Sequence, residues 1–550
     1  MSADGSRPEG PEAEGPDGPE AAGPADRRPR GPRGGRQGGV RRFAINAVTS
    51  VLATIISMTV LVWVNQYLLR RIPAEEYQLV PVVTSLLVVG ELMRNVFSGG
   101  LSRFMVEARA RGDFTEITRI TSSMVPVLVG GALLVALVGA LAVWRLDLII
   151  NVQAIYLDDA RLMFALLVLT LCLNLALSPF SMGLYVDMRF VEVNMIRLGA
   201  ELLRLAVLLT LLFAVGTNAR WVVVASAVGS LADLAARTVY SVRILPEARF
   251  DRRLISGQTV RRLMSFSAWT TVQAFTSIVN RMAPVMLLNH NASAVDVTAF
   301  YIGQLPDTQI RKLTSAATRP AQPELTSIYA TEGTAALQPF YYRGGRYFLW
   351  AALFLVPPLL AFAFPLIRLY VGETYISAAY VLIAILAVYP FSWASGMFYV
   401  VAYATGRIEA FNICSLLLSV VLLALLVVFV VGLGMGAEGA AWAFGLSFGL
   451  VHLLVIWPLG LRMVKGNWGD FLWLTLVPGT APAVAAIAVG LLFETVVPIT
   501  SWLAFAAAST LALLAYAVTL VAFARDAKDR ELLGKLVAKL MPWRRRGSPS

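Results

Sequence analysis

Charged and amide side chains stand inside long apolar runs at several places in this sequence. Glu91, Arg94 and Asn95 fall in the run 77–100, Glu201 and Arg204 in 193–215, and Asp233 and Arg237 in 219–242. Asn280 and Arg281 fall in 262–289, and Asp307, Arg311 and Lys312 in 296–320. A charge at mid-bilayer costs about 2.5–3.5 kcal/mol on insertion scales, so such residues are expected to face a cavity or a partner. Spacings of three (Glu91/Arg94, Glu201/Arg204) and four (Asp233/Arg237, Asp307/Arg311) put acid and base on one helix face. Glu201–Arg204 and Asp233–Arg237 read as self-neutralising braces, and Arg237 is close enough to a span end to snorkel. Arg281 has no acidic residue within a turn of its own helix. Arg94, Arg281, Arg311 and Lys312 exceed Glu91 and Asp307, so these runs carry a positive excess. A cationic cavity suits an anionic substrate, and arginine can hold phosphate bidentately. We expect Arg94, Arg281, Arg311, Lys312 and Asn280 to bind substrate. Glu91 and Asp307 are candidates for proton or other ion coupling.

The elements that must position these residues are membrane spans. Apolar runs of spanning length lie near 43–69, 77–100, 118–143, 160–185, 193–215, 219–242, 262–289, 296–320, 346–369, 376–403, 409–432, 437–461, 470–494 and 500–524. That predicts an all-α polytopic protein of about fourteen transmembrane helices. The loop charges test the count independently. With the N-terminus inside, even-to-odd loops should be basic. They carry Arg103, Arg109 and Arg111, then Arg243, Arg249, Arg252, Arg253, Arg261 and Arg262. Arg311, Lys312, Arg319, Arg343 and Arg346, then Arg462 and Lys465, continue the pattern. The stretches Asn289–Ala294, Gly432–Glu438 and Glu494–Thr500 have no Lys or Arg. Both termini are therefore expected on the cytoplasmic side of the cytoplasmic (inner) membrane.

The 550 residues are 57% hydrophobic and 15% charged, with mean hydropathy +0.69. No soluble fold could cover that much apolar surface, so the bilayer must be the solvent. The net charge of +12 sits in loops and tails, where topology accounts for it, and does not imply nucleic acid. Cys172 and Cys414 lie singly in apolar runs, and His290 and His452 lack ligand spacing, so neither a disulfide framework, a metal nor a cofactor is expected. Residues 1–42 are too poor in apolar content to fold and are expected to be a disordered cytoplasmic tail. No signal-peptide core precedes Phe43. Residues 526–550 read as an amphipathic, basic cytoplasmic tail. Leu532, Leu533, Leu536, Val537 and Leu540 form one stripe and Lys528, Arg530, Lys535 and Lys539 the other, which suits an anionic lipid surface. No extramembrane segment is long enough for a catalytic domain and no nucleotide motif occurs, so a transporter is expected rather than an enzyme.

Several segments resemble a known family. They are Gly99-Gly100-Leu101-Ser102-Arg103-Phe104 with Glu107-Ala108-Arg109-Ala110-Arg111-Gly112-Asp113, and Ala299-Phe300-Tyr301-Ile302 running on to Pro323-Glu324-Leu325. Pro365-Leu366-Ile367-Arg368-Leu369-Tyr370-Val371-Gly372-Glu373-Thr374-Tyr375 and Gly432-Leu433-Gly434-Met435-Gly436-Ala437-Glu438-Gly439-Ala440-Ala441 complete the set. In order and spacing these resemble the Wzx-like polysaccharide exporter branch of the MOP (multidrug/oligosaccharidyl-lipid/polysaccharide) flippase superfamily, over roughly 43–525.

The resemblance implies a V-shaped bundle of two pseudo-twofold lobes, 43–243 and 262–461, joined by a cytoplasmic linker 244–261. Helices 470–524 would follow, and spans one, two, seven and eight would line the cavity. It further implies an anionic, polyprenyl-diphosphate-linked glycan as substrate, moved by alternating access with membrane lipid around its tail. Glycosyltransferases and a polymerase of the same pathway would be partners. The charged fifth and sixth spans and the long N-terminal tail depart from the family pattern. A MurJ-type lipid II flippase and a MATE-type multidrug/cation antiporter are the alternatives, the second disfavoured by the excess of arginine.

Overall fold

The computed structural model describes residues 62–86, 101–318, 328–329, 332–333, 336–405, 407–524 and 529–531. The N-terminal tail, Glu91 and Arg94 lie outside these, as does most of the C-terminal tail. The described residues are helical and contain no strand. Nine of their helices are long and apolar enough to cross a membrane. The more polar seventh and eighth spans are Gly257–Asn291 and Ala294–Thr318. The ninth is interrupted, running as Leu337–Leu353, Val356–Ala361 and Ala363–Tyr370. With the first two spans, described in part, the total agrees with about fourteen expected from hydropathy.

Local chemistry explains where the helices start and bend. Asp113 accepts from Glu116 N (2.9 Å) to open the third span, and Ser256 accepts from Thr259 N (3.3 Å) to open the seventh. Such caps satisfy amides that no preceding turn can reach. Pro357 and Pro358 open the second piece of the ninth span, where their missing N–H groups leave no gap in a ladder. The tenth is divided into Ser377–Ala387, Tyr389–Ala394 and Gly396–Ala404, with Pro390 at the first break. Pro306 interrupts the hydrogen bonds of the eighth beside Asp307. A π-helical turn, His452–Ile456, interrupts the twelfth span, which runs from Gly436 to Met463.

Packing follows the chain closely. The third span lies on the fourth, the fourth on the sixth, and the fifth on the sixth. The eighth lies against the tenth and twelfth, and the last two spans pack on each other and on the ninth. Gly303 makes the approach of spans eight and ten possible: a Cβ there would sit 2.6 Å from Val381 Cβ and 2.7 Å from Ala378 O.

By the alternation of the helices, the described segments joining even spans to odd ones share one end, here called the basic end. There the helix Leu101–Ala110 precedes the third span, and its Arg109 pairs with Asp187 at 2.9 Å. The segment 245–256 is stitched to a buried hydroxyl stripe of the third span. Thr118 Oγ1 donates to Glu247 O (2.8 Å). Ser122 Oγ accepts from Asp251 N (2.8 Å), and Ser123 Oγ from Ser256 N (2.9 Å). The start of the C-terminal tail also docks here. Asp529 is fully buried, accepts from Arg346 Nη2 at 2.8 Å and from Tyr347 Oη at 2.7 Å, and so ties the chain after the last span to the ninth.

Candidate functional site

The best-defined polar group at membrane depth lies between spans eight, ten and twelve. Asp307 is buried, and its Oδ1 accepts two bonds, from Arg311 Nε at 2.7 Å and from Tyr389 Oη at 2.8 Å. The one-turn spacing of Asp307 and Arg311 sets the first bond. The second needs the close approach at Gly303, one turn earlier on the same face as Asp307, and the break before Pro390 that presents Tyr389. The Arg311 guanidinium lies 5.6 Å from the Tyr389 ring centre and 6.0 Å from that of Phe448. Phe448 belongs to a stack along span twelve: its ring centre is 4.2 Å from Phe444 and 5.8 Å from His452. The His452 Nδ1 is 3.0 Å or less from Phe448 O, at 2.8 Å. Arg311 is therefore neutralised by Asp307 and framed by aromatic faces. Its Nη2, though buried, meets no hydrogen-bond partner among the described residues. The same holds for Asn280 Oδ1 and for Trp393 Nε1. Buried polar atoms without partners are uncommon, and a ligand or water is one way to satisfy them.

Asn280 and Arg281 sit on the seventh span about 15 Å from its far end, whereas Arg311 sits about 25 Å along the eighth from that same end, at 1.5 Å per residue. Side chains lean toward the N-terminus of their helix. In this antiparallel pair Arg281 leans toward the basic end and Arg311 away from it, so the two converge in level. The Lys312 backbone continues the eighth helix; its side chain, like Glu91 and Arg94, lies outside the described residues. Glu201 and Arg204 are bonded to each other within the fifth span, with Arg204 Nε 3.2 Å from Glu201 Oε2. Gly229 of the sixth span packs directly on Arg204 Cβ. Asp233 and Arg237 are paired within the sixth span. Tyr389, Phe448 and Trp393 were not singled out from sequence. The only signal was a tyrosine beside a proline within an apolar run.

At the end opposite the basic one, the first spans are fastened to later ones. Tyr370 Oη donates to Val62 O (2.7 Å), and Arg70 Nη2 to Leu369 O (2.6 Å). The rings of Tyr77 and Tyr301 have centres 6.4 Å apart. Asn289, near the end of the seventh span, accepts from Asn151 N (2.7 Å) and donates to Asn151 O (2.9 Å). Beside this seam Glu76 Oε1 accepts from Ala219 N at 2.8 Å, and Asp159 pairs with Arg220 at 2.8 Å. Burial is the larger influence on Glu76 and holds its carboxyl above the ordinary range, partly offset by the Ala219 N–H.

Residues 43–311 match the family model described as polysaccharide biosynthesis protein. No curated protein sequence matches the chain. Among solved structures, one similar to this chain is a lipid II flippase, MurJ, in an inward closed conformation. The TM-score is 0.62 at 13% identity, over 88% of this chain and 99% of that one. A multidrug resistance MATE family transporter of the MOP superfamily, in an inward-facing conformation, gives 0.57 at 11% identity, over 76% and 98%. The Vibrio cholerae MATE transporter VcmN, as a mutant, gives 0.51 at 13% identity, over 78% and 99%.

Proposed function

Starting from a multi-pass membrane chain that carries the polysaccharide biosynthesis protein pattern over residues 43–311 and has the fold of the MOP transporters, we propose that it is a flippase. Its cargo is a polyprenyl-diphosphate-linked oligosaccharide or polysaccharide precursor, carried across the cytoplasmic membrane by alternating access. Both termini are cytoplasmic in this reading, so the basic end faces the cytoplasm and the opposite end faces out. Residues 43–243 and 262–461 are the two moving lobes, and 244–261 is the linker between them.

The observation that supports this reading best is Arg311. Its guanidinium is held at membrane depth by Asp307 Oδ1 and two aromatic rings while Nη2 keeps an unused donor. A diphosphate offers acceptors for that donor and for Arg281, with Arg94, Lys312 and Asn280 completing the cationic cavity. Asp307, and Glu91 beside Arg94 in sequence, are the groups through which a proton or another ion would couple. Replacing Arg281 and Arg311 singly by Ala, with protein amounts matched, is expected to lower export of the surface glycan at least tenfold, the scale of one lost charge-assisted bond. Full export by both variants would sink the reading.

A second reading, a lipid II flippase, is favoured by the fold likeness to MurJ over most of the chain. Its cargo shares the diphosphate, so the same arginines would serve. Depletion separates the two: arrest of wall synthesis supports lipid II, and loss of a surface polysaccharide with continued growth supports the glycan.

A further inference from the structure

The outer seam is fastened by an uncharged clasp whose geometry suits a latch. The Asn289 side chain is an amide that pairs reciprocally with the backbone of Asn151, its Oδ1 taking the N–H at 2.7 Å and its Nδ2 giving to the C=O at 2.9 Å. This is how one peptide unit pairs with another across an antiparallel ladder. Nδ2 also lies 3.5 Å from Gln78 Oε1, at the head of the second span. Asn289 is 3% exposed, so the pairing is shielded from water that would compete for it.

What the clasp holds is a stiff hairpin. Only Ala292 and Ser293 separate spans seven and eight. Ser293 Oγ donates to Asp296 Oδ2 (2.6 Å) and accepts from Asp296 N (3.1 Å). Asp296 Oδ1 in turn accepts from Ala437 N (3.0 Å) at the start of span twelve. Gly436 there has φ +56 and leaves no room for a Cβ, which would sit 2.5 Å from Asp296 Oδ1. The outer turn of the hairpin is thus fastened to span twelve. The basic end of span seven is instead fixed to span three through the hydroxyl-stitched segment ending at Ser256. One helix is anchored to the first spans below and to the later spans above, and Asn289 adds a removable fastening between the two groups at its outer end.

We propose that Asn289 is the latch of an outer gate: its pairing with Asn151 shuts the cavity from outside, and its release lets the seven–eight hairpin swing out with span twelve. This rests on the transport reading but on no particular cargo. Met282 lies seven residues before Asn289, on the same face of the helix and partly buried. As Met282→Cys, with Cys172→Ser and Cys414→Ser, it reports access from outside to a membrane-impermeant maleimide applied to whole cells. Asn289→Ala, which removes both bonds, is expected to raise the labelling rate about tenfold. Asn289→Asp keeps the acceptor and loses the donor, and is expected to raise it by a smaller factor. It carries the test if the Ala variant is poorly produced. Raised labelling in a chain that moves no glycan upholds the latch even though the cargo reading fails. Rates for both variants within about twofold of the parent, below the effect of a single lost bond, overturn it.

Discussion

Glu76 is the titratable residue whose surroundings give the clearest consequence. Burial favours its neutral acid, against the weaker pull of the Ala219 N–H, so its folded pKa stands above the ordinary 4.5. The folded chain then holds a proton that the unfolded chain has released, so stability from this group is full below 4.5 and is lost as pH rises through the folded value. Glu76→Gln keeps an oxygen for Ala219 N and removes the burden of ionisation. Its melting temperature in detergent is expected to exceed the parent's at about pH 8 and to lose that advantage toward about pH 4. At this scale the sequence was legible only where partners are neighbours. Asp307–Arg311, Glu201–Arg204 and Asp233–Arg237 announce themselves by spacing. Tyr389 meets Asp307 from 82 residues away, and Asn289 meets Asn151 from 138. Neither has a periodic signature, since a single side chain reaching another helix leaves no trace in local hydropathy.

Helix ends were less legible than helix middles. The seventh span begins at Gly257 rather than near 262, and the ninth at Leu337 rather than near 346. Each extra turn lies beyond the apolar run and packs one face only. Hydropathy therefore ends before the helix does, and a cap such as Ser256 marks the true start. The tail after the last span gives the sharper lesson. Its sequence reads as an amphipathic segment on a lipid surface; most of it lies outside the described residues, and within the described piece, 529–531, Asp529 is inside the protein. The Arg346–Asp529 pair has side chains 6% and 0% exposed. Removing one partner of such a pair strands the other's charge, at about 3–5 kcal/mol. Asp529→Ala is expected to show that loss in thermal unfolding followed by tryptophan fluorescence, whereas replacing both residues by apolar ones of similar volume should restore most of it.

For the whole molecule, the bilayer as solvent was the most legible property, because it follows from composition and loop charge rather than from any contact. The proposed orientation rests on the same loop charges. A fluorescent protein fused at either terminus is expected to fold and shine in the cytoplasm. Alkaline phosphatase inserted at 292–293 or 433–435 is expected to be active outside. Reversed results would invert the assignment of gate and tail. How the spans pack was not legible, since it depends on side chains far apart in sequence, such as Arg346 and Asp529. The local pairing of Asp307 with Arg311 also has a consequence for synthesis of the chain. Spans seven and eight, the most polar of the long helices and joined by a two-residue turn, are expected to enter the bilayer together as a hairpin. An ion pair one helical turn apart can close as soon as that turn has formed, so span eight enters lipid carrying a salt bridge in place of two bare charges. Tyr389, still untranslated or only just emerging, is then added to an arrangement that already exists.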